Sequence, residues 1–518
     1  MKVLYFLAHP ECMGGAITVL MKQASIMQQH GYQVLVVIQN NEENNHIPEY
    51  EYMCELYHLE NISAQYPIAT CIENLDICSC MRAYESVKSI VESFMPDLIH
   101  SIQLNITVEY VSQEFGIPHL MNIYQISDGM FNIKWMNVFP RYQSGDSYFY
   151  CEKWQKGLGI ESRCIRVPYI RKTNVDTEKK DLRQDKIEMV NIAVIAQHKG
   201  QLKIIKFVEK CKLNGIPVHI RFLGDDKSEY AIYCKEYVKE HGLTEEVSFE
   251  GLVKDVEKYL SISEIMIHAS TSESYPGVIV EAMGNRVPVI ATPVAGIPEL
   301  LHDEENGFLT KGYTVDDIYI AFERYMLSKE ENRIKGIIDR AYDTYLLNHT
   351  SEVSFQKLEE YYKDILQNYV RNENGFWEGR NSFDTVLRFG KTVNIGLYSE
   401  ETKKALWFLF HIKQVIDEKS YETAVIWGAG FWGKIAMEWC RLLSLEVIGV
   451  IDKYKIGYFE GIEIRTPDIE MIKNTDILFL AMMDSGACEK NMKFIENAGR
   501  VRNVDYFLTC NNPCIQIK

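Results

Sequence analysis

The chain has 518 residues, enough for about three or four domains, and its 47% apolar and 25% charged residues, without long Pro, Gly or Ser tracts, describe an ordinary folded protein. A formal net charge of −17 opposes binding to nucleic-acid phosphates, so no nucleic-acid partner is expected. No apolar run approaches the roughly 18 residues that span a bilayer, and thirteen cysteines without a repeated CxxC spacing predict free thiols in a reducing cytoplasm and no metal site.

The first apolar run, Val3–Ala8, is too short for a signal peptide and predicts a buried strand. A helix at about Gly15–Gln29 and a strand at Gln33–Ile38 follow, giving the strand, crossover helix, strand order of a parallel sheet. Asp97–Ile102, His119–Ile123, Ser147–Tyr150 and Arg163–Val167 are further strand candidates, completing a first α/β domain over residues 1–175. The charged stretch Arg171–Glu188 lacks apolar periodicity and is placed as a linker. A second α/β series then runs through Val190–Ala196, Val218–Leu223, Val247–Phe249, Ile265–Ala269, Val287–Ala291 and Gly307–Leu309, and the helical segment Ser351–Val370 is expected to close this domain, residues 188–370. A connector at 371–392 leads to a third unit, 393–518, with a helix at about Ser399–Glu418, a strand at Ala424–Trp427, a glycine turn, a helix to about Leu443 and a strand at Val447–Ile451.

In the stretch STSESYPGVIVEAM, Ser270–Met283, two glutamates flank a Tyr-Pro-Gly turn. Glu273 follows the strand Ile265–Ala269 at its carboxyl end, where open parallel sheets bind ligands. Pro276 suits the first turn of a helix, and the amides of Gly277 and Val278 would be unpaired donors for a phosphate at a positive helix end. Glu281, four residues into that helix, leans back toward the same rim. A carboxylate beside a phosphate site fits hydroxyl ligands, so Glu281 is assigned to a ribose diol and Glu273 to a sugar hydroxyl. The residues alone also allow a solvated loop carboxylate and a helix-terminal glutamate favoured by the macrodipole.

The pattern E-x(7)-E, followed by EAMGNRVPVIATPVAGIPELL from Glu281, resembles the donor-site signature of family 4 retaining glycosyltransferases of the GT-B fold. Gly14-Gly15, PDLIHS (Pro96–Ser101), GIPHLMN (Gly116–Asn122), Lys199-Gly200, FLGDD (Phe222–Asp226) and VSFEGLV (Val247–Val253) follow the same order, over roughly residues 1–370. The resemblance implies two tandem Rossmann-like domains with a cleft between them. It implies that Gly14 and Gly15 face the donor phosphates, that Lys199 neutralises the diphosphate, and that Leu252 and Val253 lie against the base. It implies transfer with retention from a nucleotide-diphosphate sugar, UDP- or GDP-linked, without a required cofactor or metal, and Lys199 and Glu273 as the catalytic-side residues.

Three positions depart from that pattern. The loop before Lys199 lacks the usual companion arginine, Arg286 replaces a common glycine, and no histidine stands at Tyr124 or Gln125. His9 and His100 sit at strand ends in the first domain and read first as structural, with His9 the better functional candidate because it is near the Gly14-Gly15 loop.

In the third unit, VIWGAGFWGK contains G-x-G-x-x-G as Gly428, Gly430 and Gly433, and Asp452 closes the next strand nineteen residues on. These are candidates for a second nucleotide site, although the unit is expected to hold only half of a full dinucleotide-binding sheet. Gly449–Ile472 resembles the small Rossmann-like domains that accompany bacterial sugar acyltransferases, and a structural or oligomerising role is the alternative. The function expected is a glycosyltransferase of surface polysaccharide or glycoconjugate synthesis acting on a glycan or lipid-linked acceptor, cytoplasmic or peripheral at the inner membrane face. The rival is a catalytically weak nucleotide-sugar sensor, and a third reading is an oxidoreductase acting through Gly428–Gly433.

Overall fold

The computed structural model describes residues 1–7, 15–40, 55, 58–59, 62–67, 77–102, 106–125, 140–170, 186–369, 399–482 and 486–509. His9, Gly14 and the 371–392 connector lie outside the described residues.

The first sheet comprises β1 (Lys2–Leu7), β2 (Gln33–Asn40), β3 (Ile62–Pro67), β4 (Leu98–Ile102), β5 (His119–Ile123), β6 (Tyr142–Gly145) and β7 (Ser162–Cys164), in the order β3-β2-β1-β4-β5-β6-β7. The second comprises β8 (Ile187–Ile192), β9 (Val218–Leu223), β10 (Val247–Gly251), β11 (Ile265–His268), β12 (Val289–Ala291) and β13 (Phe308–Leu309), in the order β10-β9-β8-β11-β12-β13. Neighbouring strands in both run parallel. Continuous apolar strands such as β1, buried on both faces from Val3 to Leu7, are what a sheet covered by helices on both sides requires.

Two expectations about the first two domains are corrected. Ser147–Tyr150 is not a strand: Ser147 caps the helix Tyr148–Leu158, its Oγ accepting from the Tyr150 amide, and the strand is the preceding YQSG of β6. The aromatic run suggested β structure, but the capping serine decides the local backbone. The helix Ser351–Asn368 does not close the second domain, because Leu358, Tyr361, Tyr362 and Ile365 belong to the apolar core of the first. Tyr362 anchors it there: its hydroxyl lies 2.7 Å from Tyr5 Oη and 2.6 Å from His100 Nδ1, while His100 Nε2 meets Asn122 Oδ1 at 2.8 Å. Burial pushes His100 down to about 3, so a neutral imidazole serves as a structural bridge.

The third sheet comprises β14 (Thr423–Trp427), β15 (Glu446–Ile451), β16 (Tyr458–Phe459), β17 (Ile462–Arg465), β18 (Ile477–Leu480) and β19 (Tyr506–Leu508), in the order β16-β17-β15-β14-β18-β19. It is therefore larger than the half-sheet expected, because three short strands, β17, β18 and β19, extend it by parallel pairing. Among the described residues of this sheet only β16 pairs antiparallel, at one edge. The helix Glu400–Lys419 packs this unit against the first domain's helix Ile77–Phe94, and Tyr110 touches both cores. No helix among the described residues is long and apolar enough to cross a membrane.

Candidate donor-binding site

Along Ser270–Met283, contact after contact reaches the first domain. Gln125 Nε2 donates to Ser272 Oγ at 2.5 Å, Ser274 Oγ to Asp146 Oδ1 at 2.5 Å, and Lys22 Nζ to Glu281 Oε1 at 3.3 Å. A Cβ on Gly277 would touch Val167 at 3.4 Å, and one on Gly296 would overlap the Ser274 carbonyl at 2.3 Å. Val19, Val167 and Tyr169 join one apolar cluster with Val190, Ile279 and Met283, so the two domains meet in a closed arrangement.

The helix Gly277–Gly284 starts with Pro276 as its cap, and Pro276 supplies no side-chain hydrogen bond. The amides of Gly277 and Val278 have no hydrogen-bond partner among the described residues, which leaves donors at a positive helix end. Beside them, Glu273 is 8% exposed, and its Oε1 accepts from Lys199 Nζ at 2.6 Å and is 2.9 Å from His268 Nε2. Burial alone would raise this carboxyl, but the hydrogen bonds and charges of His268 and Lys199 outweigh it and hold it at about 2. Oε2 of Glu273 carries no hydrogen bond among the described residues, so one oxygen is anchored and the other is available.

Lys199 ends a short 3-10 turn, Gln197–Lys199, pinned by the His198 carbonyl, which accepts from Thr271 N at 2.8 Å and Ser270 Oγ at 3.1 Å. The next residue must be glycine: Gly200 has φ +76°, and a Cβ there would lie 2.2 Å from the Ala269 carbonyl oxygen. Lys199 and Glu273 thus belong to two loops tied backbone to backbone. Gly15 opens the helix Gly15–Gln29 with nothing within 4 Å of where a Cβ would sit. Leu252 is 78% exposed at the end of β10, and Val253 packs on the interdomain cluster. Arg286 turns away from the cleft: at φ +57° it takes the left-handed backbone that glycine favours, and its guanidinium donates to Asp339 at 2.7 Å over the Tyr342 ring.

His268, Lys22, Asp146 and Arg166 were not singled out from the sequence. Arg166 Nη1 donates to the Asp146 carbonyl at 3.0 Å and to Glu299 Oε2 at 2.7 Å, while Glu299 also accepts from the amides of Tyr148 and Phe149. Burial pushes the Asp146 carboxyl up to about 7, against the pull of the Ser274 hydrogen bond and the Arg166 charge. A histidine ending an apolar strand five residues before Glu273, and a lysine as the one charge in the helix Gly15–Gln29, were the available signals.

Residues 173–341 match the family model described as Glycosyl transferases group 1. Among solved structures, a glycosyltransferase from Rickettsia africae superposes with a TM-score of 0.59 at 15% identity, covering 71% of this chain and 99% of its own. Anabaena HepE in complex with UDP and glucose superposes with a TM-score of 0.58 at 18% identity, covering 70% and 99%. The first two domains form a GT-B pair. The chain is similar in sequence to N-acetyl-alpha-D-glucosaminyl L-malate synthase of Bacillus anthracis, 30% identical over 132 residues, which cover 26% of this chain and 34% of that protein. Protein CapJ of Staphylococcus aureus is 26% identical over 191 residues, covering 36% and 42%. The chain thus spans less than half the length of these two curated relatives.

In the GT-B pair, the third sheet is an addition, and its glycine turn has its own geometry. Asp452 accepts from the amides of Ala429, Tyr454 and Lys455 at 2.9, 2.8 and 3.1 Å. A Cβ on Gly428 would meet the Ala481 carbonyl oxygen at 2.2 Å, and one on Gly433 the Gly428 carbonyl oxygen at 2.1 Å. Gly430 is the open member, capping the helix Phe431–Leu443 with Lys455 Nζ 4.0 Å from where its Cβ would be.

Proposed function

We propose that the chain is a retaining glycosyltransferase that moves a sugar from a nucleotide-diphosphate donor, UDP- or GDP-linked, to a glycan or lipid-linked acceptor of surface polysaccharide or glycoconjugate synthesis. The observation that carries this reading is the convergence of Lys199, Glu273 and the unpartnered amides of Gly277 and Val278 on one rim facing the first domain. Lys199 and the helix-end amides stabilise charge that develops on the leaving diphosphate, and they are more effective in a cleft from which domain closure excludes water. The free oxygen of Glu273 accepts from a sugar hydroxyl, and Glu281 from the ribose. A leaving phosphate oxygen takes the acceptor's proton, so no carboxylate nucleophile is needed. The complex of the structural neighbour HepE with UDP and glucose supports a UDP-sugar as the first donor to test.

A full-chain panel of UDP- and GDP-sugars, with and without oligosaccharide acceptors, tests the reading. Nucleotide release with one sugar is the expected result. Thermal stabilisation by a nucleotide sugar without any release would replace the enzyme by the sensor. For the third sheet we propose that Gly428 and Gly433 serve close packing, and that Gly430 with Lys455 is the part of the candidate second nucleotide site open to a phosphate.

A further inference from the structure

Lys22 lies in the middle of the first-domain helix Gly15–Gln29, and its side chain is only 6% exposed. Its ammonium sits 3.3 Å from Glu281 Oε1, across the junction of the two domains, and 5.9 Å from the centroid of the Tyr169 ring. Tyr169 is itself fixed, donating to Glu257 Oε1 at 2.6 Å and accepting from Asn285 Nδ2 at 2.8 Å. Val19, one turn before Lys22, packs in the cluster that holds Ile279, Val280 and Met283 of the second domain, so this face of the helix is applied to the helix bearing Glu281.

A lysine so far from water is costly unless a partner takes its charge, and Glu281 is its ion-pair partner among the described residues. The pairing has two consequences for Glu281. It ties Oε1 and leaves Oε2, which has no hydrogen bond among the described residues, as the oxygen that can meet a ligand. It also offsets a negative charge that stands one helical turn from the amides assigned to the diphosphate, where an uncompensated carboxylate would repel the donor.

We propose that Lys22 is a positioning residue of the donor site: it holds Glu281 so that Oε2 meets the ribose diol of a nucleotide diphosphate, and it does so only when the two domains are closed. This rests on the glycosyltransferase reading given above. Because the cation and the carboxylate are carried by different domains, opening the cleft separates them and loosens the ribose contact. Donor affinity and domain closure are thereby coupled through one ion pair.

The test is calorimetric binding of UDP, GDP and their 2′-deoxy counterparts to the full chain, in wild type, Lys22→Met and Lys22→Arg, with donor kinetics on the same proteins. Wild type is expected to prefer the ribonucleotide by about tenfold. Lys22→Met is expected to weaken ribonucleotide binding by about tenfold, to leave the 2′-deoxy affinity nearly unchanged, and to raise KM more than it lowers kcat. Lys22→Arg, which keeps the charge and guards against a folding defect in the methionine variant, is expected to restore most of the ribose preference. A Lys22→Met protein that separates ribo- from 2′-deoxynucleotide as wild type does overturns the role of Lys22 and leaves the glycosyltransferase reading standing. Wild-type protein that binds none of the nucleotides overturns both.

Discussion

Two junctions in this chain lead from a parallel strand through glycine into a helix, and they treat their carboxylates differently. After β11 the loop is long, 269–276, and its carboxylate Glu273 is held by side chains, Lys199 and His268. After β14 the turn is tight, and Asp452 of the neighbouring strand end is held by three backbone amides. Side-chain partners can be exchanged for a ligand at small structural cost. Backbone amides cannot, because losing Asp452 leaves three donors to be satisfied again. The same glycine-rich appearance therefore accompanies a carboxylate held by side chains in one place and a turn braced by backbone amides in the other.

The sharpest way to break this contrast is Lys199→Ala. Removing a cation from the leaving group is expected to lower kcat by about 100-fold or more while leaving nucleotide affinity within a few-fold, as measured by steady-state kinetics and calorimetry. Lost affinity with unchanged kcat would mean that Lys199 only binds. Glu281→Ala is expected to weaken donor binding by about tenfold to 100-fold with a smaller change in kcat. In the third sheet, Asp452→Ala is expected to speed hydrogen exchange of residues 428–433 and 453–455 and to leave sugar transfer unchanged; loss of transfer with normal exchange would place Asp452 in a working ligand site.

The smallest expected effect is a pH dependence from the domain junction. Asp146 carries a carboxyl raised to about 7 by burial, so the folded state holds a proton that the unfolded chain releases near pH 4. Its contribution to stability is complete below about pH 4 and is lost as pH rises through about 7. Asp146→Asn keeps a polar partner for Ser274 without a titrating proton. Thermal melts between pH 5 and 8 are expected to fall less steeply with pH in that variant, and parallel slopes would remove Asp146 as the cause.

Glu273 titrates the other way. Held at about 2, it stays ionised across neutral pH, and the stability it confers is present above the ordinary carboxylate range and lost only as pH falls toward 2. A loss of activity above neutrality therefore has Asp146, not Glu273, as its structural candidate.

Much of the architecture was legible along the chain because short strands rich in apolar residues are punctuated by turn residues: His119–Ile123 and Val218–Leu223, each preceded by Gly-Ile-Pro, were bounded to the residue. The helix start at Gly277 was legible for the same local reason, since proline and glycine restrict the backbone wherever they occur. Short strands such as Ile462–Arg465 and Tyr506–Leu508 were not, because their stability comes from the partner they pair with. The sequence by itself determined the alternation of the longer strands and helices and the carboxylates and glycines that mark the candidate loops, since these follow from local backbone chemistry and hydrophobic period. Only the tertiary structure decided that Ser351–Asn368 belongs to the first core, that His268 and Lys199 share one oxygen of Glu273, and that Lys22 reaches Glu281 from another domain. Those pairings join residues up to hundreds of positions apart, and burial, which makes a lysine seek a carboxylate, exists only after the chain has folded.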